Sequence, residues 1–190
     1  MSTSPTAVDH DRAPSSARLL VDQIRYQLLM MWRIPVALFF TLVLPLMMLV
    51  LFNTVIGGDG TVGDNGLTLA QFFTGGLAAF TAVSATYTNL ANMVPLRRDE
   101  GILKRWRGTP LPTWVYLGGF VGQAVILAAI GMALMIGVGI AFYDVTLAAD
   151  KVPYLLAAFT VGVASFGALG MALASVVPNA SSSAAAANAT

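Results

Sequence analysis

Four long stretches without a charged residue organise this chain: 34–58, 65–96, 108–143 and 152–190. Each exceeds the ~20 residues that carry a helix across the hydrocarbon core of a bilayer. Their apolar residues run on continuously, unlike the alternating segments of a membrane barrel. A helix satisfies its backbone donors and acceptors within itself, as lipid demands. The pattern therefore predicts an all-α fold, a polytopic membrane helix bundle. Span one is expected over 35–56, with a kink at Pro45. Span two is expected over 69–92, reaching 96 if tilted. Span three falls within 114–142 and span four over 153–177. Pro178-Asn179 breaks the fourth span, and the small, uncharged run ASSSAAAANAT begins a fifth.

A different periodicity precedes span one. Residues 16–33 read SARLLVDQIRYQLLMMWR. On a helical wheel Arg18, Asp22, Arg25 and Arg33 share one side, with Leu20, Ile24, Leu28 and Met31 largely opposite. This predicts an amphipathic elbow helix along the membrane interface, with Arg heads in water and Trp32 at the headgroups. A soluble-facing cap helix is the alternative, and the pattern favours the interfacial one. Ile34-Pro35 then turns the chain, because the proline ring crowds α geometry at the residue before it. The Ser-, Thr-, Ala- and Pro-rich start, 1–15, is expected to be a disordered cytoplasmic tail. Residues 16–190 are expected to form one transmembrane domain.

The charges orient the bundle. Arg12, Arg18, Arg25 and Arg33 precede span one, and Arg97, Arg98, Lys104, Arg105 and Arg107 lie between spans two and three. Of the basic residues only Lys151 falls in the other two loops, with Asp59, Asp64, Asp144 and Asp150. Lys/Arg bias thus predicts that the N terminus and the loop 97–112 are cytoplasmic.

Composition narrows the function. Charged residues make up 10% of the chain, against roughly 25% in soluble domains. A soluble enzyme, a disordered chain and a nucleic-acid binder are excluded. Without cysteine there is no disulfide, thiolate nucleophile or Cys-based metal site. The spans hold no Asp, Glu, His, Lys or Arg in their middles, where proton relays and voltage sensors need them. The single histidine, His10, sits in the tail without partner ligands. A phosphate-binding loop ends in Gly-Lys-Ser/Thr, whereas Lys104 precedes Arg105 and Lys151 precedes Val152. Neither a catalytic site nor a cofactor or metal site is expected, and any ATP must be bound by another subunit.

Three features carry information. In span two Thr74, Thr81 and Thr88 recur every seven residues and Asn92 continues the line, one face of a straight helix. That face reads as a substrate path or as interhelical packing, and packing is favoured because threonine is cheap in lipid. In span three Gly118, Gly122, Ala129, Ala133 and Gly137 form a small-residue side suited to close helix packing. Between these spans lies RRDEGILKRWRGTPLP, 97–112. Its apolar stripe Ile102, Leu103 and Trp106 sits among charges. It suits docking into a groove on another protein, or equally a membrane surface with its basic residues on anionic lipid.

The run Arg98-Asp99-Glu100-Gly101-Ile102-Leu103-Lys104-Arg105-Trp106-Arg107-Gly108-Thr109-Pro110-Leu111-Pro112 resembles the loop between the second and third spans of ABC-2-type permeases. The family pattern is approximately Arg-Glu-x-Gly-Thr/Ile-Leu-x-x-Leu-x-x-Thr-Pro-Leu. It is met at Glu100, Gly101, Leu103, Thr109, Pro110 and Leu111, and Trp106 replaces the usual aliphatic residue. The order of elbow helix, span, outer loop, span and this loop is similar too. The resemblance implies a membrane subunit of an ATP-binding cassette exporter in a bacterial plasma membrane, moving a drug, lipid or glycan. It implies that Arg98, Glu100, Gly101, Leu103, Trp106, Thr109 and Pro110 belong to the surface that couples to a cytoplasmic ABC ATPase. It also implies a second permease subunit, as homo- or heterodimer. The family has six spans, so a chain stopping at the fifth is expected to be a C-terminally truncated product. A non-transporting membrane scaffold or inactive fragment is the alternative; a passive channel is a third reading.

Overall fold

The computed structural model describes residues 15–56, 60–62, 66–102 and 112–189. Among the described residues six helices carry the fold. The elbow helix α1 (Ser16–Trp32) begins where the Ser15 hydroxyl accepts the Arg18 backbone N–H at 3.4 Å. It stops at Ile34, whose φ of −113° and ψ of 78° lie outside the α region that a following proline disfavours. Span one, α2 (Pro35–Val55), starts on that proline. A hairpin of two-residue strands, β1 (Thr61–Val62) and β2 (Leu67–Thr68), leads into span two, α3 (Leu69–Asp99). Span three is α4 (Thr113–Tyr143) and span four is α5 (Val152–Val176). A last helix, α6 (Ala180–Ala189), follows a short turn.

Helices of 31 residues, as α3 and α4 are, run about 46 Å at ~1.5 Å per residue. They outreach a hydrocarbon core of ~30 Å. Span two extends beyond the expected limit near 92–96, so its last turn carries Arg97, Arg98 and Asp99. This is the basic end of the bundle. The helix stops where Gly101 takes a φ of +71°, a left-handed turn that a side chain would strain. At the opposite end Thr68 and Gln71 cap α3 reciprocally, each side chain bonding the other's backbone N–H at 3.2 Å. The Gln71 amide also donates to the Thr146 hydroxyl at 3.0 Å, tying the hairpin end of α3 to the loop after α4.

Prolines reshape two spans. Pro45 has no N–H to give the carbonyl four residues back, and its ring would strike that carbonyl. The expected kink takes the form of a wide π turn over Phe39–Val43, immediately before it. Span two has a π turn at Ser84–Thr88, and Pro95 lies in the helix beyond it.

The pillar of the fold is α4, which enters all three apolar clusters. Leu90, Tyr116, Phe120 and Ala124 pack near the basic end; Met31, Ala85, Leu127, Ala128 and Val163 pack in the middle; Leu49, Ala78 and Met135 pack toward the hairpin. The first turns of α4 also receive α1. A Cβ on Gly118, Gly119 or Gly122 would lie 2.9, 2.3 and 2.5 Å from Leu20, Gln23 and Ile24 respectively. Gln23, Gln27 and Met31 are buried there. Thus much of the elbow's apolar stripe, expected to face lipid, lies on a glycine floor of span three. The small-residue side of α4 is divided accordingly. Gly118 and Gly122 seat α1, whereas Ala133 is exposed and Gly137 faces open space; Gly131 and Gly139, which lie off that side, seat Thr81 and Thr74 of α3.

Gly119→Leu forces side-chain carbons into Gln23, so it is expected to destabilise the chain by about 1–3 kcal/mol through overpacking. Gly137→Leu is expected to leave stability unchanged. Thermal unfolding of both variants in detergent, followed by size-exclusion fluorescence, checks the contrast.

Candidate substrate groove and the basic end of the bundle

A groove of about 1120 Å³ runs between α2, α3 and α5 in the half of the bundle nearer the basic end. Phe40, Phe80 and Phe166 contribute aromatic walls, and Leu173, Val176 and Ala187 line it near the α5–α6 turn. Its polar lining comes mainly from α3: Ser84, Tyr87, Thr88, Asn89 and Asn92. Asn92 donates from Nδ2 to the Thr88 carbonyl at 2.9 Å, so its side chain is fixed. The Asn92 Oδ1 and the Asn89 Nδ2 have no partner among the described residues. One is an acceptor and the other a donor, both held away from water. Among the described residues that line the groove, none is Asp, Glu, Lys, Arg or His.

The threonine face is split between two tasks. Thr74 and Thr81 are buried against Gly139 and Gly131 of α4, and Thr81 Oγ1 donates to the Leu77 carbonyl at 2.7 Å. Thr88 and Asn92 instead line the groove. The π turn at Ser84–Thr88 separates the pairs. It adds one residue to the turn, which rotates the following face by roughly the 100° of one residue. A seven-residue spacing therefore does not keep Thr88 beneath Thr81. Two hydroxyl bonds in this bend, from Thr86 to the Ala82 and Val83 carbonyls at 2.8 and 3.3 Å, fit the local widening.

At the basic end the described members of the expected coupling surface separate as well. Glu100 is half-exposed and accepts from Arg97 Nη1 at 3.0 Å. Gly101 ends α3. Arg98 is turned toward the bundle, where its guanidinium donates to the Val177 carbonyl. Leu103, Trp106, Thr109 and Pro110 lie outside the described residues, as does the tail before Ser15.

Comparison with known families decides the class. The ABC-2 type transporter family model matches residues 23–190. This chain belongs to the ABC-2 type transporter family. No curated protein and no solved structure matches it. It is thus a permease component of an ABC-type transporter, a membrane transport part and not itself a catalytic enzyme. Family members normally work with an ATPase subunit.

Two polar residues of this permease escape a reading by face and charge. Asn89 lies next to the threonine line, not on it. Ser183 sits in a run of small residues, yet its hydroxyl donates to the Ala91 carbonyl at 2.5 Å. That carbonyl is free because Pro95, four residues on, has no N–H. A proline inside a span is the sequence signal that an acceptor awaits a donor four residues earlier. Ser183→Ala is therefore expected to cost about 1 kcal/mol. In a Pro95→Ala background, where the helix supplies its own N–H, the cost is expected to shrink toward zero. A double-mutant cycle on thermal or denaturant unfolding measures that difference.

Proposed function

We propose that this permease is the membrane subunit of an ABC exporter in a bacterial plasma membrane. It pairs with a second permease subunit and is driven by ATP bound and hydrolysed on a separate cytoplasmic ATPase. The family match over residues 23–190 carries the reading. The bias of Lys and Arg toward one end supports a cytoplasmic N terminus and a cytoplasmic loop after α3. On this orientation Arg98, Glu100, Gly101, Leu103, Trp106, Thr109 and Pro110 belong to the segment that meets the ATPase. The motor favours one arrangement of the spans over another by binding them unequally, which shifts their populations.

The groove supplies the substrate path. Its aromatic and aliphatic walls take an apolar body, while Ser84, Thr88, Asn89 and Asn92 make one wall polar enough for a polar head. Among the described residues the groove wall holds no Asp, Glu, Lys, Arg or His to act as counter-ion to a full charge, and an unpaired charge in lipid is expensive. The cargo class is therefore an uncharged amphiphile with a hydroxyl or amide head, such as a neutral drug or a glycosylated lipid. Thr88 and Asn92 act along this path; Thr74 and Thr81 serve packing. The second permease subunit closes the open side of the groove.

Transport into inside-out vesicles containing the permease and its ATPase tests this. A neutral fluorescent amphiphile is expected to accumulate with ATP. Replacing Asn89 and Asn92 by Leu is expected to slow it about fivefold for each lost hydrogen bond. Equal transport by the variants, or uptake that needs no ATP, contradicts the reading.

A further inference from the structure

The last turn of α3 carries two adjacent, opposite charges, and each meets one side of the turn between α5 and α6. Arg98 donates to the carbonyl of Val177, the residue that ends α5. Asp99 Oδ2 accepts the backbone N–H of Ala180, the first residue of α6, at 2.8 Å. The signs match the helix ends they touch. A helix C-terminus presents negative partial charge and favours a cation, and an N-terminus favours an anion. Within α6, the Ser183 hydroxyl bonds the Ala91 carbonyl at 2.5 Å. Asn179 caps α6 by accepting the Ser182 N–H at 2.9 Å, so the turn is internally rigid as well as held from outside.

The held segment borders the groove, to which Leu173 and Val176 of α5 and Ala187 of α6 contribute. Asp99 is also only a few residues from Leu103, where the segment proposed to meet the ATPase continues. We infer that Arg98 and Asp99 form a clasp, positioning residues that make the α5–α6 turn follow the end of α3. Displacement of the segment after α3 thereby moves the groove wall at the basic end. The role in transport rests on the export reading; the clasp itself is a property of this chain alone.

The chain has no cysteine, so a single introduced thiol reports without background. Ala187→Cys places one on the groove wall held by the clasp, where Ala187 is 6% exposed. In the membrane-embedded full chain, its modification by a small methanethiosulfonate reagent is followed in clasp variants. Arg98→Met and Asp99→Ala, which remove the donor and the acceptor, are each expected to raise the rate at least about fivefold, the effect of losing one hydrogen bond to a charged group. Arg98→Lys, which keeps a cationic donor, is expected to stay near the parent rate. A thiol at Ala78, buried 5% exposed toward the hairpin end, is expected to keep its rate throughout. An unchanged rate at 187, or an equal rise at 78 and 187 that marks general loosening, overturns the clasp. The labelling needs neither ATPase nor cargo. A rise at 187 without ATP-driven transport thus counts against the export reading alone, and an unchanged rate in a transporting chain counts against the clasp alone.

Discussion

Every carbonyl and N–H that enters lipid needs a partner, because no water is there to supply one. This constraint shapes the bundle more than the apolar residues do, since lipid tails and apolar side chains offer one another similar surroundings. Where the sequence obeys it with plain helix, as in α4, the element is long and uninterrupted. Where a proline breaks it, the structure answers locally. Pro45 follows a π turn, and Pro95 leaves the Ala91 carbonyl for Ser183 of a distant helix. The second answer converts a backbone defect into a tertiary contact.

Close approach is the other determinant. Glycines of α4 remove side chains where neighbours must come near: Gly118, Gly119 and Gly122 beneath α1, and Gly131 and Gly139 beneath threonines of α3. Dispersion between many atoms at short range then supplies cohesion that burial from water cannot. The elbow helix is thereby joined to span three, next to the segment through which a partner's movement is proposed to enter.

Much of this was legible in the sequence. Charge-free runs located four spans to within a few residues, and Ile34-Pro35 marked the end of the elbow. The family followed from the Glu100-Gly101 and Thr109-Pro110-Leu111 motif together with the order of elements. Partner choice within the bundle was less legible. The stripe Leu20, Ile24 and Met31 suits lipid or protein equally, and only the glycines at 118, 119 and 122 tilt it toward α4. The threonine spacing misled for a definite reason. Counting by sevens assumes a constant helical pitch, and the π turn at Ser84–Thr88 breaks that assumption between Thr81 and Thr88. The bond from Arg98, expected in the coupling loop, to the Val177 carbonyl was not legible, because it depends on α3 continuing beyond its apolar length.

On the proposed function the basic end receives the stroke of a separate motor. A photo-crosslinking amino acid placed singly at Trp106 or at Thr146, in the assembled transporter with the ATPase that co-purifies with it, tests this directly. A covalent adduct to the ATPase is expected from position 106 and none from position 146. An adduct from 146, or its appearance only there, would contradict it.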